Sequence, residues 1–319
     1  MTDNTSPSKE LIYLSLVVPC FNEEESLQIF YDELVKMFSA PETGKNIEFV
    51  FVDDGSKDAT LEILKNLTQK DGRVHYVSFS RNFGKEAAIL AGLQTARGEY
   101  VATLDADGQD PPRLIPQMLE SVVSGEADCA GTRRITRRGE PPVRSFFARR
   151  FYALMARIAD IEIVDGARDF RLMNRKYLEA VLAVVEHNRF SKGIFPWVGF
   201  RTKWFEYENI ERTSGKTKWS LWKLFLYSLD GIIAFSSKPL AIASVIGILL
   251  FMVSIAFILF IIIRKAVWGD PVDGWASTVC IILFCSGIQV FTTGILGQYM
   301  AKTYTEVKQR PHYIIKDAR

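Results

Sequence analysis

Acidic and amide side chains follow three apolar, strand-like segments of the sequence. They lie in residues 19–23 (PCFNE), 53–56 (DDGS) and 105–109 (DADGQ). The carboxyl ends of parallel strands meet at one edge of a sheet, and open α/β sheets bind their ligands there. Carboxylate and amide oxygens bind hard divalent cations, which take their remaining ligands from water and substrate phosphates. The sequence therefore predicts a metal-assisted site for a phosphate-bearing substrate at this edge.

Asp105 and Asp107 form a D-x-D pair directly after an apolar run. If the strand continues through both residues, alternation points them to the same side, where they address one ligand together. A lone D-x-D pair also occurs at ordinary strand-to-turn transitions. Here the following Gln109 and the turn at Pro111-Pro112 favour a site.

The elements that must position these residues are strands alternating with amphipathic segments. The strand-like runs are LSLVVP (14–19), IEFVFVDD (47–54), VHYVSFS (74–80), YVATLDAD (100–107) and DCAGTR (128–133). This alternation predicts an α/β fold with a mostly parallel sheet, and the continuous apolar runs predict strands buried on both faces. No G-x-G-x-x-G follows the first strand and no G-x-x-x-x-G-K-[ST] is present, which disfavours dinucleotide-binding and P-loop enzymes.

The composition indicates that this domain is followed by a membrane-associated part. Charged residues make up 24% of the 319 positions, yet the mean hydropathy is +0.06, because the apolar excess lies after Pro239. A net charge of +2 gives no basis for nucleic-acid binding. The four cysteines form no C-x-x-C pair, and the three histidines are too scattered for a metal triad.

Uncharged apolar runs at 240–263 and 274–301 are each long enough to cross a bilayer, and the basic C-terminus favours a cytoplasmic end. Residues 219–237 predict an amphipathic interfacial helix. The segment 133–157 carries eight arginines and one acid, which is typical either of a solvated face or of a surface against anionic headgroups. Small residues such as Gly287 and Gly294 permit close helix contact and leave a homo-oligomer open.

Together these motifs resemble family 2 glycosyltransferases with the GT-A fold, and among them the polyprenyl-phosphate group that includes dolichyl-phosphate mannose synthases and bactoprenol glucosyltransferases. The resemblance covers nearly the whole chain. It rests on VVPCFNEEESL (17–27), FVDDGSKDAT (51–60), SFSRNFGKEAAILAG (78–92), LDADGQDPP (104–112), GARDFRLMNR (166–175), RTSGKTKWS (212–220) and the two apolar runs. It implies a polar N-terminal tail (1–13), a cytoplasmic catalytic domain (14–215), an interfacial segment (216–238), a transmembrane hairpin (239–301) and a basic cytoplasmic tail (302–319).

The resemblance also implies roles for individual residues. The nucleotide's base and ribose would be held by Pro19, Asn22, Glu23, Asp53 and Asp54. Asp105 would contact the nucleotide, while Asp107 and Gln109 would contact Mg²⁺ or Mn²⁺ on the diphosphate. Arg133 and Lys218 would stabilise phosphates, with Arg212 as a helper.

Asp169 occupies the position of the family's proposed catalytic carboxylate. A plain ion pair with Arg168 or Arg171 is the alternative for it, and Asp165 is a nearby rival. Lys192 and Lys203 are left outside the site, because a basic residue near a membrane more often contacts headgroups.

The implied reaction is inverting transfer of a hexose from a nucleotide-sugar to a polyprenyl phosphate, such as undecaprenyl phosphate, at the cytoplasmic membrane. Glucose from UDP-glucose is the leading expectation, and the lipid-linked sugar would serve cell-envelope glycosylation. Alternatives are mannose from GDP-mannose, a modified sugar, or a non-catalytic membrane protein that binds nucleotide-sugars. A polysaccharide synthase is disfavoured, since only two spans are present and the Q-x-x-R-W motif is missing.

Overall fold

The computed structural model describes residues 12–38, 46–135, 164, 166–208, 238–268 and 274–319. The described strands form a single sheet in the order β7-β5-β6-β4-β1-β2-β3-β8. Their bounds are β1 (Leu14–Cys20), β2 (Ile47–Asp53), β3 (Val74–Phe79), β4 (Tyr100–Thr103), β5 (Cys129–Arg134), β6 (Ala167–Asn174), β7 (Thr202–Tyr207) and β8 (Ile315–Ala318). The α-helices are α1 (Leu27–Met37), α2 (Thr60–Lys70), α3 (Lys85–Thr95), α4 (Ile115–Val123), α5 (Arg175–Ala183), α6 (Ser191–Trp197), α7 (Lys238–Trp268) and α8 (Trp275–Lys308).

The central strands are buried on both faces, as their continuous apolar runs predict. All seven residues of β2 are buried. Phe49 and Phe51 face one hydrophobic cluster, which includes residues of α1 and α2, while Val50 faces a second that includes residues of α3. The backbone of α3 approaches the sheet closely, since a Cβ on Gly92 would lie 2.2 Å from Cγ1 of Val17. The α/β class is thereby confirmed.

The sheet is mostly parallel. β1 pairs in parallel with β2 and β4, β2 with β3, and β5 with β7. β6 runs antiparallel between β4 and β5, and β8 runs antiparallel to β3. The five strands expected from apolar runs are all present, and β6, β7 and β8 are additional.

One detail of the sequence expectation is wrong: the fourth strand does not reach Asp107. It ends at Thr103, and the next residues form a loop in which the Asp110 carboxylate accepts the Asp105 amide at 3.1 Å. Gly108 takes a positive φ of 72° in this loop. The alternation argument therefore does not apply, because both aspartates lie on a loop and not on a strand.

The C-terminal segment is also more ordered than a tail. Residues 302–308 continue α8, and β8 adds an edge strand beside β3. Tyr313 stacks on Phe79 with ring centroids 4.8 Å apart. Residues on both sides of the α7–α8 pair thus belong to one sheet.

Helices α7 and α8 contact one another. Within the described ranges, Leu240–Phe257 in α7 is the stretch long and apolar enough to cross a membrane. Asp165, Arg212 and Lys218 lie outside the described residues, as do 136–157 of the arginine-rich segment and 216–237 of the interfacial segment.

Candidate active site

The loops that follow β1 and β2 interlock at the carboxyl edge of the sheet. The amide of Asn22 donates to Ser56 Oγ at 2.9 Å, and Asn22 Oδ1 accepts from the Lys57 amide at 2.9 Å. Asn22 has a positive φ of 54°, which asparagine tolerates better than most residues. The Glu23 amide donates to Thr60 Oγ1 at 2.9 Å. The loops after β1 and β2, which are predicted to hold the nucleotide, are therefore joined by hydrogen bonds.

Asp53 and Asp54, at and after the end of β2, are buried carboxylates. Asp53 accepts from the Ser56 amide at 2.9 Å and from Ser78 Oγ at 2.7 Å. Asp54 accepts from the side chain of Asn82 and from the amides of Phe83 and Gly84, at 2.7 to 3.2 Å. The two carboxylates thus tie the loops after β2 and β3 together, and nucleotide contact by either stays a prediction.

Burial raises the pKa of Asp54 from 3.8 to about 6, against the opposing effect of the Phe83 and Gly84 amides. The loop that Asp54 holds, residues 80–84, leads directly into α3 and places Lys85 at the first position of that helix. Asp54 is therefore coupled to the position of Lys85 through a few backbone bonds.

Lys85 joins the two carboxylates that the sequence places far apart. Its Nζ lies 2.8 Å from Asp105 and 2.6 Å from Asp169, so one ammonium bridges the loop after β4 and strand β6. Partial burial lowers the pKa of Lys85, but Asp105 and Asp169 more than offset this and hold it above its usual value. The structure thus brings Asp105 and Asp169 together, and the ion pair of Asp169 is with Lys85, whereas the alternative hypothesis from the sequence names Arg168 or Arg171.

Asp169 remains ionised in this environment. Burial raises its pKa, but Lys85 and then Lys192 outweigh burial, so the pKa lies well below its usual range. Its backbone carbonyl accepts from Thr103 Oγ1 at 2.5 Å, which fixes β6 against the end of β4. A carboxylate with such a depressed pKa is a weak base and a strong electrostatic anchor.

Asp110 and Arg168 hold the D-x-D loop through hydrogen bonds and ion pairs. The fully buried Asp110 accepts from Arg168 Nε at 3.2 Å, from the Tyr207 hydroxyl at 3.2 Å and from the Asp105 amide at 3.1 Å. Burial raises the pKa of Asp110 to about 6, and Arg168 opposes that rise. Arg168 also approaches Asp105, at 3.8 Å, and Gln109 Oε1, at 3.5 Å. Asp110 therefore fixes both the backbone and the counter-charge of the loop.

The oxygen donors at the tip of this loop fit a hard divalent cation. Asp107 and Gln109 are partly exposed, and Asp107 Oδ1 accepts from the Gln109 amide at 3.1 Å, so both side chains belong to one tight turn. Asp105, by contrast, is engaged by Lys85. Among the described residues no group of three or more His, Cys, Asp or Glu forms a metal site. A cation bound here would draw on one or two protein oxygens and on substrate phosphates.

The other basic residues considered from the sequence, Arg133, Lys203 and Lys192, have different surroundings. Arg133 pairs with Glu206 of the neighbouring strand through its Nε, at 3.0 Å, and Nη2. Lys203, left outside the site, pairs with Glu126 at 2.7 Å. Lys192, also left outside the site, contributes to the lowered pKa of Asp169, after Lys85.

Sequence reasoning missed Lys85, Arg168 and Asp110 as members of this cluster. Lys85 stands in a segment quoted for the family resemblance, but its partners are 20 and 84 positions away, and only the fold brings them together. Asp110 follows the D-x-D pair by three positions, and its burial is the signal that separates it from the exposed acids.

The comparisons with known proteins agree with this architecture. The glycosyl transferase family 2 profile matches residues 15–182. A prophage bactoprenol glucosyl transferase homolog of Escherichia coli K12 is 41% identical over 95% of this chain and 98% of that protein. The bactoprenol glucosyl transferase of Shigella phage SfII is also 41% identical, over 95% of this chain and 97% of that protein.

Among solved structures, glucosyl-3-phosphoglycerate synthase from Mycobacterium tuberculosis, in complex with Mn²⁺, UDP-glucose and phosphoglyceric acid, is similar to this chain. Its TM-score is 0.45 at 20% identity, with coverage of 70% of this chain and 78% of that one. The profile match spans more than half of the sequence, and the two bactoprenol glucosyl transferase relatives cover nearly all of it. The chain belongs to glycosyl transferase family 2.

Proposed function

We propose that this chain transfers a hexose, glucose from UDP-glucose, to a polyprenyl phosphate with inversion at the anomeric carbon. The observation that carries the proposal is the cluster at the carboxyl edge of the sheet, where Asp105 and Asp169 meet Lys85, Arg168 approaches Asp105, and Asp107 lies on the same loop as Asp105. The relatives named bactoprenol glucosyl transferases supply the sugar and the lipid.

The reaction forms a bond between a phosphate oxygen of the lipid and the anomeric carbon, and breaks the bond from that carbon to the nucleoside diphosphate. The main barrier is charge on the departing diphosphate, which fixed cations stabilise. A divalent cation held by Asp107 and Gln109 would neutralise part of that charge when bound. The phosphates would also be neutralised by Arg133, Lys218 and Arg212.

Asp169 has a positioning role in this proposal. A lipid phosphate is largely ionised near neutral pH, since the second pKa of a phosphate monoester is ~6, so no strong base is needed to activate it. The depressed pKa of Asp169 suits a permanent carboxylate that holds Lys85 and, through it, Asp105. The intact set of carboxylates argues against a non-catalytic binding protein.

We also propose that α7 and α8 form a two-pass membrane hairpin with both ends in the cytoplasm. Support comes from the sheet itself, because strands β1–β7 precede the helices and β8 follows them. If α7 crosses a bilayer, the chain must cross an even number of times to return β8 to β3. The apolar run in α8 provides the second crossing, and the acceptor would reach the site from the cytoplasmic leaflet.

The test is incubation of the purified full chain with undecaprenyl phosphate and labelled UDP-glucose, GDP-mannose or other nucleotide-sugars, with and without a chelator. A lipid-linked product from UDP-glucose, lost on chelation, is expected. A product from GDP-mannose alone would change the sugar and keep the reaction class. Absence of lipid-linked product from every donor would overturn the proposal.

A further inference from the structure

A cavity outside the candidate active site lies between the catalytic domain and the end of α8. Its volume is about 440 Å³. One wall is loop 80–84, and the others are His187, the last turn of α8 and residues 310–312. No residue from the loops after β1, β2 or β4 lines it, so it is distinct from the loops predicted to hold the nucleotide-sugar.

The lining of this cavity is basic. Among the described residues, it includes the side chains of Arg81, Lys308 and Arg310 and no acidic residue. Two acids close to these walls accept hydrogen bonds from backbone amides: Asp54 from loop 80–84, and Glu306 from His187 and Asn188 at 3.0 and 3.1 Å. The described residues that line the cavity therefore supply positive charge.

Aromatic rings hold two of these cations in place. The Arg81 guanidinium lies 4.2 Å from the centroid of Phe83, and the Lys308 ammonium lies 4.2 Å from the centroid of Tyr304. Cation–π contacts of this kind orient a charge without neutralising it. The two cations are thus held by different elements, loop 80–84 and α8, and keep their charge for a ligand.

Two histidines that the sequence separates by more than a hundred positions complete the cavity. The rings of His187 and His312 stack with centroids 5.0 Å apart and an interplanar angle of 21°. The His312 ring also hydrogen-bonds to the backbone of Val185, so this pair shapes the cavity more than it supplies donors to it. Permanent cations, and a lining that has no acid among the described residues, match the requirements of a phosphate group, which accepts several charge-assisted hydrogen bonds at once.

We propose that this cavity binds a phosphate group and is a second anion site of the protein. The phosphate belongs either to a lipid headgroup or to a soluble phosphate compound. The position at the end of α8 favours neither source by chemistry alone, but it places the cavity at headgroup level if α8 spans a bilayer as proposed above. The binding chemistry itself does not depend on sugar transfer.

The test is calorimetric titration of the full chain in a neutral detergent, in saturating UDP so that the donor site is blocked. The probes are inorganic phosphate and dihexanoyl phosphatidylglycerol. The cavity variant is Lys308→Gln/Arg310→Gln, and Arg81→Gln tests the wall formed by loop 80–84. The matched control, Lys70→Gln/Lys316→Gln, removes two exposed lysines that lie outside the cavity.

We expect at least one probe to bind the wild type and the control equally, and to bind each cavity variant at least about tenfold more weakly, because charge-assisted contacts are lost. Binding of phosphate alone identifies a soluble ligand, and binding of the lipid alone identifies a headgroup. No binding of either probe to the wild type, or equal affinities in cavity and control variants, would overturn the site. UDP affinity, measured separately, reports folding and the donor site, so failure of the proposed transfer would be seen independently.

Discussion

At the scale of single residues, the ionisation state of the Asp169 carboxylate is set by its neighbours. Lys85 contacts it and Lys192 lowers its pKa further, so it is ionised wherever the protein is folded near neutral pH. The same ammonium holds Asp105 of the D-x-D loop. Lys85 is therefore the residue that links the predicted nucleotide contact to the predicted catalytic carboxylate.

Lys85→Met should lower turnover on the order of a hundredfold, because Asp105 and Asp169 are left facing each other without a shared cation. Loss of Lys85 also raises the pKa of Asp169, so the acidic limb of the kcat–pH profile should move to higher pH. Lys85→Arg should restore part of the rate and most of the profile. A slow variant with an unmoved pH profile would show that Lys85 acts only on stability.

Asp54 makes a separate prediction about stability. The pKa of an aspartate is ordinarily 3.8, whereas that of Asp54 in the folded protein is about 6. The protonated carboxyl therefore stabilises the fold fully below pH 3.8, and this contribution is lost as the pH rises through 6. The difference corresponds to roughly 3 kcal/mol. The free energy of unfolding of the wild type, relative to Asp54→Asn, should fall by up to that amount between these pH values.

Urea unfolding of both proteins across the pH range measures this difference. Glu62→Gln, which changes an exposed carboxylate of α2, serves as the control and should track the wild type. Parallel pH dependence of the wild type and Asp54→Asn would contradict the raised pKa.

At the scale of elements, the segment between α5 and α6 connects the end of α8 to the active site. Glu306 of α8 binds the amides of His187 and Asn188, and Lys302 donates to Asn188 Oδ1 at 3.0 Å. A few residues on, Ser191 donates through its amide and hydroxyl to Glu86, the neighbour of Lys85. Helix α8 is thus joined to the site through a short series of hydrogen bonds.

Glu306→Ala should loosen this segment, because two amides lose their acceptor. Hydrogen exchange at residues 187–191 should become faster, and turnover should fall several-fold without a change in UDP affinity. Glu120→Ala, at an exposed position of α4, is the control. Unchanged exchange at 187–191 would contradict the connection.

Much of the fold follows from the sequence, and the exceptions have clear causes. Runs such as IEFVFVD are buried throughout, so β1 to β5 are recognisable from apolar residues alone. β6 carries three charged residues in eight, and β8 is mostly exposed, so neither has that signature. They become strands through pairing with β4, β5 and β3, which a local pattern does not report.

The site shows the same division. Asp105, Asp107 and Asp169 could be predicted because they stand in quoted motifs, whereas Lys85 and Arg168 acquire meaning only from partners distant in sequence. The placement of Asp53 and Asp54 as loop anchors could not be predicted either, since burial distinguishes an anchor from a ligand contact.

At the scale of the whole molecule, β8 constrains how the chain meets a membrane. The sheet contains strands from both sides of α7 and α8, so a membrane-spanning α7 requires a return crossing. Gly247→Arg, in the middle of the apolar stretch, should reduce membrane insertion, at a cost of about 3 kcal/mol. Val267→Arg, at the end of α7, is the matched control and should be tolerated.

Carbonate extraction of membranes checks this prediction. The wild type and Val267→Arg should remain in the pellet, and Gly247→Arg should appear in part in the soluble fraction. Equal retention of all three would contradict a span centred on this stretch.

The central claim is that this site moves a sugar from a nucleotide to a lipid phosphate. Its most direct test is mass spectrometry of the lipid fraction after incubation with ¹³C-labelled UDP-glucose and undecaprenyl phosphate, for the wild type and Asp169→Asn at matched UDP-glucose binding. The wild type should form labelled undecaprenyl phosphate glucose, and Asp169→Asn should bind the donor but form little product. Equal product from both proteins, or labelled lipid from neither, would contradict the account.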